Sequence, residues 1–329
     1  MRTVALILRG SFLLLTPFCA ASTHAQGIPT TVNELSLSIS PQYPRPYDTV
    51  TVTVGSTQLD LASGIISITV NGKVVSEGER SATFTLGGPG VKTTIQATVK
   101  DALGTHSVSR TITPADVALV LEPTSTVPPF YKGAKLVASE GSLRLIALPN
   151  FQTAGGTAIA PQSLSYTWKF GDKILEAQSG VGKNVLVATA PVRYRDARIT
   201  VTVTNADKSL VAQATTLISP VDPVIRMYRN DPLAGVDFSS ALSGSFVLPS
   251  DEETFRAVPY YYASSPTLAW TLNGTDSGSD ADLTVRTTGA TKGTALLGVR
   301  AAVVGLLNNT EARLTVQFGE ARSTGIFGL

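Results

Sequence analysis

Cysteine is almost missing from these 329 residues: Cys19 is the only one. It lies in a short apolar stretch, Ser11 to Ala21, that follows Arg2 and Arg9 and leads to Thr23-His24-Ala25, the pattern of a secretory signal peptide (residues 1–25) cleaved before Gln26. Cleavage there leaves a chain without a thiol, which excludes disulfides, thiolate catalysis and cysteine-bound zinc or iron–sulfur clusters. A competing reading lipidates Cys19 and anchors the mature protein through it, against which Phe18 is bulky for the position before such a cysteine. An uncleaved anchor fits less well, because the run is shorter than the roughly 20 apolar residues of a span and Arg9 interrupts it.

Histidine is nearly as scarce. Of the two, His24 falls in the signal segment, so a Ser-His-Asp arrangement would have to use His106, with Asp101 as its nearest acid in sequence. No Gly-x-Ser-x-Gly elbow supports that chemistry, and His106 reads as an exposed residue in or beside a hairpin turn. Charge is also sparse, at 15% of residues. The net charge of +2 comes from Arg2 and Arg9: without them 26 Lys and Arg become 24, equal to the 24 Asp and Glu. A neutral mature chain has no field to attract nucleic acid or an acidic membrane surface, and little self-repulsion to oppose association with its own copies. No cofactor motif is present.

What remains is alternation. In Leu164-Ser-Tyr-Thr-Trp-Lys-Phe-Gly-Asp172 the residues Leu164, Tyr166, Trp168 and Phe170 fall on one face of a strand, before Gly171 and Asp172 let the chain turn. Leu268, Trp270 and Leu272 before Asn273-Gly274 repeat the design, as do Ile66, Ile68 and Val70 before Asn71-Gly72. Trp168, Trp270, Tyr166 and Phe170 are the expected core anchors. Around each copy lie further alternating runs: Leu35 to Ile39, Val50 to Val54 and Ile95 to Val99 in the first unit; Leu143 to Ala147, Val185 with Val187, and Ile199 to Val203 in the second; Phe255 to Val258, Val299 to Val303 and Leu314 to Phe318 in the third. The run Ala295 to Leu307 resembles a membrane helix but is too short, contains Arg300 and is in register with strands of the other units. The expectation is an all-β chain of three tandem Ig-like β-sandwiches, 26–116, 117–221 and 222–319, followed by an apolar tail, 320–329.

The segment Tyr166-Thr-Trp168-Lys-Phe170-Gly171-Asp172 resembles the aromatic-x-Trp-x-Phe-Gly-Asp core motif of PKD-type immunoglobulin-like domains, common in secreted and surface-exposed bacterial and archaeal proteins. The first unit has Val70 where that motif is aromatic and the third has Asn273 where its glycine turn starts, so these two are generically Ig-like. The resemblance implies a spacer, adhesive or assembly module without catalysis.

The candidate contacts are few. Tyr260-Tyr261-Tyr262 must expose at least one ring if it is extended, for stacking on a sugar or anchoring a partner, unless two rings pack inward and the third lies at an edge. Phe130 and Tyr131, in the proline-rich loop Pro123 to Gly133, carry the same ambiguity, and the equivalent loop of the third unit is Asp231-Pro232-Leu233. Ile326, Phe327 and Leu329 make an apolar end suited to adding to a sheet edge or filling a groove. Asp276, Asp280 and Asp282 offer hard oxygen ligands of the kind calcium takes, although the spacing misses the EF-hand order and suits turns equally. Together these readings point to an exported, non-enzymatic binding or assembly protein at the cell envelope or outside the cell, with partners among envelope or extracellular proteins or its own copies. The alternative is a carbohydrate-binding accessory protein that uses exposed tyrosines.

Overall fold

The computed structural model describes residues 35–102, 104–129, 131–289 and 292–319. The signal segment with Cys19, Phe130, and the tail with Ile326, Phe327 and Leu329 lie outside the described residues. Among the described residues there is no α-helix, only strands and two single 3₁₀ turns, and no helix long and apolar enough to cross a membrane. The chain forms three tandem Ig-like β-sandwiches, each around its own core.

The first sandwich holds β1 (Leu35–Ser40), β2 (Thr49–Ser56), β3 (Ile65–Val70), β4 (Lys73–Glu77), β5 (Ser81–Thr85), β6 (Thr93–Asp101) and β7 (Gly104–Ile112). Its sheets run β1-β2-β5 and β4-β3-β6-β7. The second holds β8 (Asp116–Pro123), β9 (Ser142–Asn150), β10 (Ser165–Phe170), β11 (Lys173–Ile174), β12 (Gly180–Val181), β13 (Val185–Thr189), β14 (Ala197–Thr204) and β15 (Val211–Ile218). Here the sheets are β13-β9-β8 and β11-β10-β14-β15, with β12 on one end of β10. The third holds β16 (Val224–Asp231), β17 (Gly235–Val236), β18 (Gly244–Val247), β19 (Glu252–Tyr260), β20 (Thr267–Leu272), β21 (Thr275–Gly278), β22 (Asp282–Arg286), β23 (Gly293–Ala302) and β24 (Asn309–Phe318), in sheets β17-β16-β19-β22 and β18-β24-β23-β20-β21.

Period-two alternation places the cores. Tyr166 and Trp168 on β10 are fully buried, as are Trp270 on β20 and Ile66 and Ile68 on β3, while Phe170 is partly buried against the same core. Each indole is also tied to a loop: Trp168 Nε1 donates to the Lys183 carbonyl at 2.9 Å and Trp270 Nε1 to the Asp280 carbonyl at 2.8 Å. Such a bond is what makes a buried indole tolerable. The turn after the strand is repeated too. Asn71-Gly72 and Asn273-Gly274 both have positive φ, the requirement of a two-residue type I′ hairpin. In both, the Asn carboxamide oxygen accepts a backbone N–H from the strand on the other side of the hairpin, Thr94 of β6 at 2.9 Å and Leu296 of β23 at 2.8 Å.

Two expectations change. Strand β13 has the opposite face inward: Leu186 is buried, whereas Val185 and Val187 point to solvent. Val-Leu-Val is apolar on both faces, so alternation alone cannot choose between registers one residue apart. His106 lies within β7 rather than at its turn, opposite the buried Val99, and its side chain is only 23% exposed. The hairpin needs just Ala102 and one further residue between Asp101 and Gly104, so pairing has resumed before His106.

The first and second sandwiches meet tightly. A Cβ on Gly90 (φ +75°) would lie 2.5 Å from the Thr153 carbonyl oxygen and 2.6 Å from that of Gln152, both backbone atoms of the second sandwich. Nearby, Arg45 Nε and Asp116 Oδ1 are 3.2 Å apart.

Because one tryptophan sits in each of the last two cores, Trp168→Phe and Trp270→Phe give single-tryptophan reporters of the third and second sandwich respectively. Trp168→Ala should destabilise the second sandwich by about 3–5 kcal/mol, read as the part of the circular-dichroism denaturation transition that Trp270 fluorescence, which reports the third, does not follow. Loss of less than about 1 kcal/mol would show that the indole is not the keystone of that core.

Candidate functional site

The loop after β8 leaves the second sandwich and pairs with the third. Thr126 N–H donates to the Tyr262 carbonyl at 2.9 Å, the Thr126 carbonyl accepts from Tyr261 N–H at 2.7 Å, and Thr126 Oγ1 accepts from Tyr262 N–H at 3.1 Å. One threonine thus acts as a one-residue strand for the chain emerging from β19. Pro128 and Pro129 follow directly, and proline's fixed φ suits a loop that must stay extended across a boundary.

This pairing sorts the tyrosines. Tyr262 is fully buried in the third core, where burial pushes its phenol well above the usual tyrosine range, so it presents no surface. Tyr261 takes a left-handed backbone, φ +61°, and remains half-buried. Its hydroxyl is 2.7 Å from that of Tyr131, and the Tyr131 ring stands edge-on to Tyr260 and Tyr261 with centroids 6.0 and 6.1 Å away. The Tyr260 hydroxyl lies 2.9 Å from the Tyr228 hydroxyl. Burial, then this bond, raises the Tyr260 phenol; the bond to Tyr131, then burial, raises Tyr261. The Tyr260 and Tyr261 hydroxyls are therefore neutral at ordinary pH.

A second fastening lies at the turn between β23 and β24. The buried Asn308 carboxamide donates to the Ser139 carbonyl at 2.7 Å and accepts from Ala263 N–H at 3.3 Å. Leu307 N–H donates to Glu140 Oε2 at 2.8 Å. Ser139 is held in turn, its Oγ accepting from Arg193 N–H at 2.8 Å, and Ala138 bridges to Val221 in the connection between the sandwiches.

Beside these fastenings the two sandwiches enclose a groove of about 560 Å³. One wall is the loop from Thr124 to Pro129 with Lys135; the other is Ala257, Val258 and Pro259 of β19 with Ser265, Pro266 and Leu268. Volumes of a few hundred Å³ are typical of small-ligand sites. Ser125 is buried in this wall, and among the described residues its hydroxyl has no hydrogen-bond partner. Arg256 reaches the groove with its charge engaged by Asp282.

That ion pair decides the acidic cluster. Asp282 binds Arg256 and accepts from Asn230 Nδ2 at 3.0 Å; Asp276 caps Gly278 N–H at 3.1 Å; Asp280 contributes its carbonyl to Trp270. Asp282 and Asp276 thus use their carboxylates in separate places, while Asp280 is used through its backbone carbonyl. Among the described residues no group of three His, Cys, Asp or Glu side chains converges as a metal site. His106 belongs to the first sandwich, with Asp101 Oδ1 3.7 Å from its Nε2, and contributes nothing to the groove. Asp231, of the third sandwich's equivalent loop, accepts from Leu233 and Ala234 N–H at 2.8 and 2.9 Å, holding Leu233 outward as an exposed tip.

Sequence reading singled out Tyr131 and Tyr260 to Tyr262 but not Thr126, Ser139, Glu140 or Asn308. Each of these four looks like ordinary loop chemistry, and its partner is more than one hundred residues away.

No family model matches the chain, and no curated protein matches it. Among solved structures it is similar to the three N-terminal domains of the bacteriophage RB49 Highly Immunogenic Outer Capsid protein, with 13% identity over 87% of this chain and 99% of that one and a TM-score of 0.26. Sidekick-1 immunoglobulin domains 1–5 match with 10% identity, 84% and 56% coverage and a TM-score of 0.31. The Clostridium thermocellum CbhA fibronectin(III)-like modules match with 10% identity, 63% and 96% coverage and a TM-score of 0.23. Overlaps of that quality carry nothing about ligands or partners.

Asn308→Ala strands the Ser139 carbonyl and the Ala263 N–H, and should cost about 1–3 kcal/mol. It should also broaden the distribution of distances between spin labels placed on the second and third sandwiches. Arg256 holds the Asp282 carboxyl below the usual range, with burial opposing. The stability this pair adds is complete above the ordinary carboxylate pKa and is lost as pH falls through the lowered folded value. Asp282→Asn should therefore flatten the acid limb of the stability profile reported by Trp270; an unchanged limb would remove the pair from that role.

Proposed function

We propose that this is an exported, non-enzymatic binding or assembly protein of the cell envelope or extracellular space, in which the second and third sandwiches act as one unit that presents the groove between them. The observation that carries this reading is the double fastening of that junction, Thr126 on Tyr261 and Tyr262 and Asn308 on Ser139. Two sandwiches locked this way keep the groove's walls in register before a ligand arrives, so less ordering is left to oppose binding. The resemblance of the middle sandwich to PKD-type modules fits the same role, with boundaries at 26–116, 117–221 and 222–319. The partner is an envelope or extracellular protein that inserts a short extended segment.

A carbohydrate ligand is the second reading, favoured by the half-buried Tyr131 and Tyr261 rings with their linked hydroxyls next to the groove. Ser265 is exposed on the groove wall, so Ser265→Trp fills the cavity without disturbing either core. Proteins captured from envelope fractions by the full chain should be lost with Ser265→Trp; retention of all of them would remove the groove as the contact. Glycan-array binding that disappears with Tyr261→Ala would decide for carbohydrate, and a blank array against it.

A further inference from the structure

The three sandwiches share an edge. In each, one sheet ends in an equivalent strand: β5 in the first, β13 in the second, β22 in the third. A free edge carries a row of unpaired backbone N–H and C=O groups, and proteins ordinarily guard it with charge or polarity. The first sandwich does so with Ser81, Thr83 and Thr85 facing out, backed by Thr51, Thr53, Ser36 and Ser38 on the neighbouring strands. The third does so with Asp282, Thr284 and Arg286, backed by the ion pairs of Arg256 with Asp282 and Arg286 with Glu252. In both, a threonine pair links the edge to its neighbour through hydroxyls, Thr51 with Thr83 at 3.1 Å and Thr254 with Thr284 at 2.8 Å.

The second sandwich has no such guard. Strand β13 faces outward with Val185 and Val187, 36% and 54% exposed. Ile146 lies opposite Val185 on β9, and Val120 lies opposite Ile146 on β8. Leu148 on β9, 50% exposed, extends the row. The charges of β8 and β9 on this face are each paired, Arg144 with Glu122 at 2.7 Å and Asp116 with Arg45 at 3.2 Å. The face is therefore apolar and internally neutral.

The hydrogen-bond phase of the edge is fixed at both ends. Ala147 N–H donates to the Asn184 carbonyl and Ala190 N–H to the Gly141 carbonyl, each at 2.8 Å. Even-numbered residues of β13 thus bond to β9, and the N–H and C=O groups of Val185, Val187 and Thr189 point away from the sheet. The short turn Glu176–Gln178 runs near β13, but among the described residues no backbone bond reaches these three.

We infer that β13 is a homotypic docking edge: two copies of the chain pair through it, antiparallel, with Val187 opposite Val187 of the partner copy. The strand itself is suited to a second copy. A two-fold about Val187 sets Val185 against Thr189 in both directions, so every outward group of one copy meets its complement in the other. These are β-branched cross-strand pairs, which suit adjoining strands. Because Arg144 is neutralised by Glu122 within its own copy, the symmetric arrangement brings no bare like charges together. The joined sheets form one continuous six-stranded sheet, order β8-β9-β13-β13-β9-β8. This goes beyond the groove and stands with or without a ligand there.

A five-residue edge with a modest apolar flank makes an interface at the small end, so the dimer is a weak one, with a Kd on the order of 10–100 μM. Sedimentation of the full chain over that range should show reversible dimerisation. Amide exchange at Val185, Val187 and Thr189 should slow as concentration rises. Val187→Lys puts two ammonium groups opposite each other at an exposed position and should weaken association at least tenfold; Thr83→Lys, on the equivalent edge of the first sandwich, should leave it unchanged. A chain monomeric throughout the range overturns the inference, as does a dimer indifferent to Val187→Lys or one whose three edge amides exchange at a constant rate. Ser265→Trp should not alter the dimer, which separates failure of the groove reading from failure of this one.

Discussion

The backbone exchange between Thr126 and the pair Tyr261–Tyr262 is the constraint from which the second half of the molecule follows. Tandem sandwiches joined by a few residues ordinarily choose their angle through weak surface contacts. Here a loop of one sandwich completes the hydrogen bonding of the other, so moving the pair apart would strip main-chain groups of their partners. The tyrosine cluster and the groove exist because this ladder is in place. Tyr262 can be fully buried only because its N–H and C=O are taken up by Thr126, and Tyr131 meets Tyr261 only because the loop has crossed over.

Alternation made the cores legible. The spacing of Tyr166, Trp168 and Phe170, and the matching runs at Ile66 and Leu268, located one strand in each sandwich, and Asn-Gly after two of them located the turns. Legibility stopped where a signal was degenerate or non-local. A strand that is apolar on both faces, Val185-Leu186-Val187, does not reveal which face is buried, because only the packing of Leu186 against Trp168 and its neighbours breaks the tie. Asp276, Asp280 and Asp282 look alike as a string; Arg256, Asn230 and the hairpin of β20 and β21 give each a different task. Asn308 carries no local mark at all, since a buried bridging carboxamide and a solvated turn residue have the same spelling.

The outer faces of the three equivalent sheets differ in a way their inner faces do not. Inside, each obeys the same rule of buried aliphatic and aromatic side chains. Outside, serine and threonine cover the first, ion pairs the third, and valine, isoleucine and leucine the second. Folding demands only the inner pattern. The outer one is free to record what each module meets, and on that measure the middle sandwich is set apart from its neighbours.

The two joints of the chain resist displacement by different means. Between the second and third sandwiches the restraint is hydrogen bonding with a buried carboxamide, which dissolved ions barely touch. Between the first and second it is the bare fit of Gly90 against two carbonyl oxygens and an exposed Arg45–Asp116 pair. Contact of that kind stops motion in one direction only, and the ion pair that opposes the other is screened by salt. Of the two joints, the one at Gly90 is therefore the one whose restraint dissolved ions weaken.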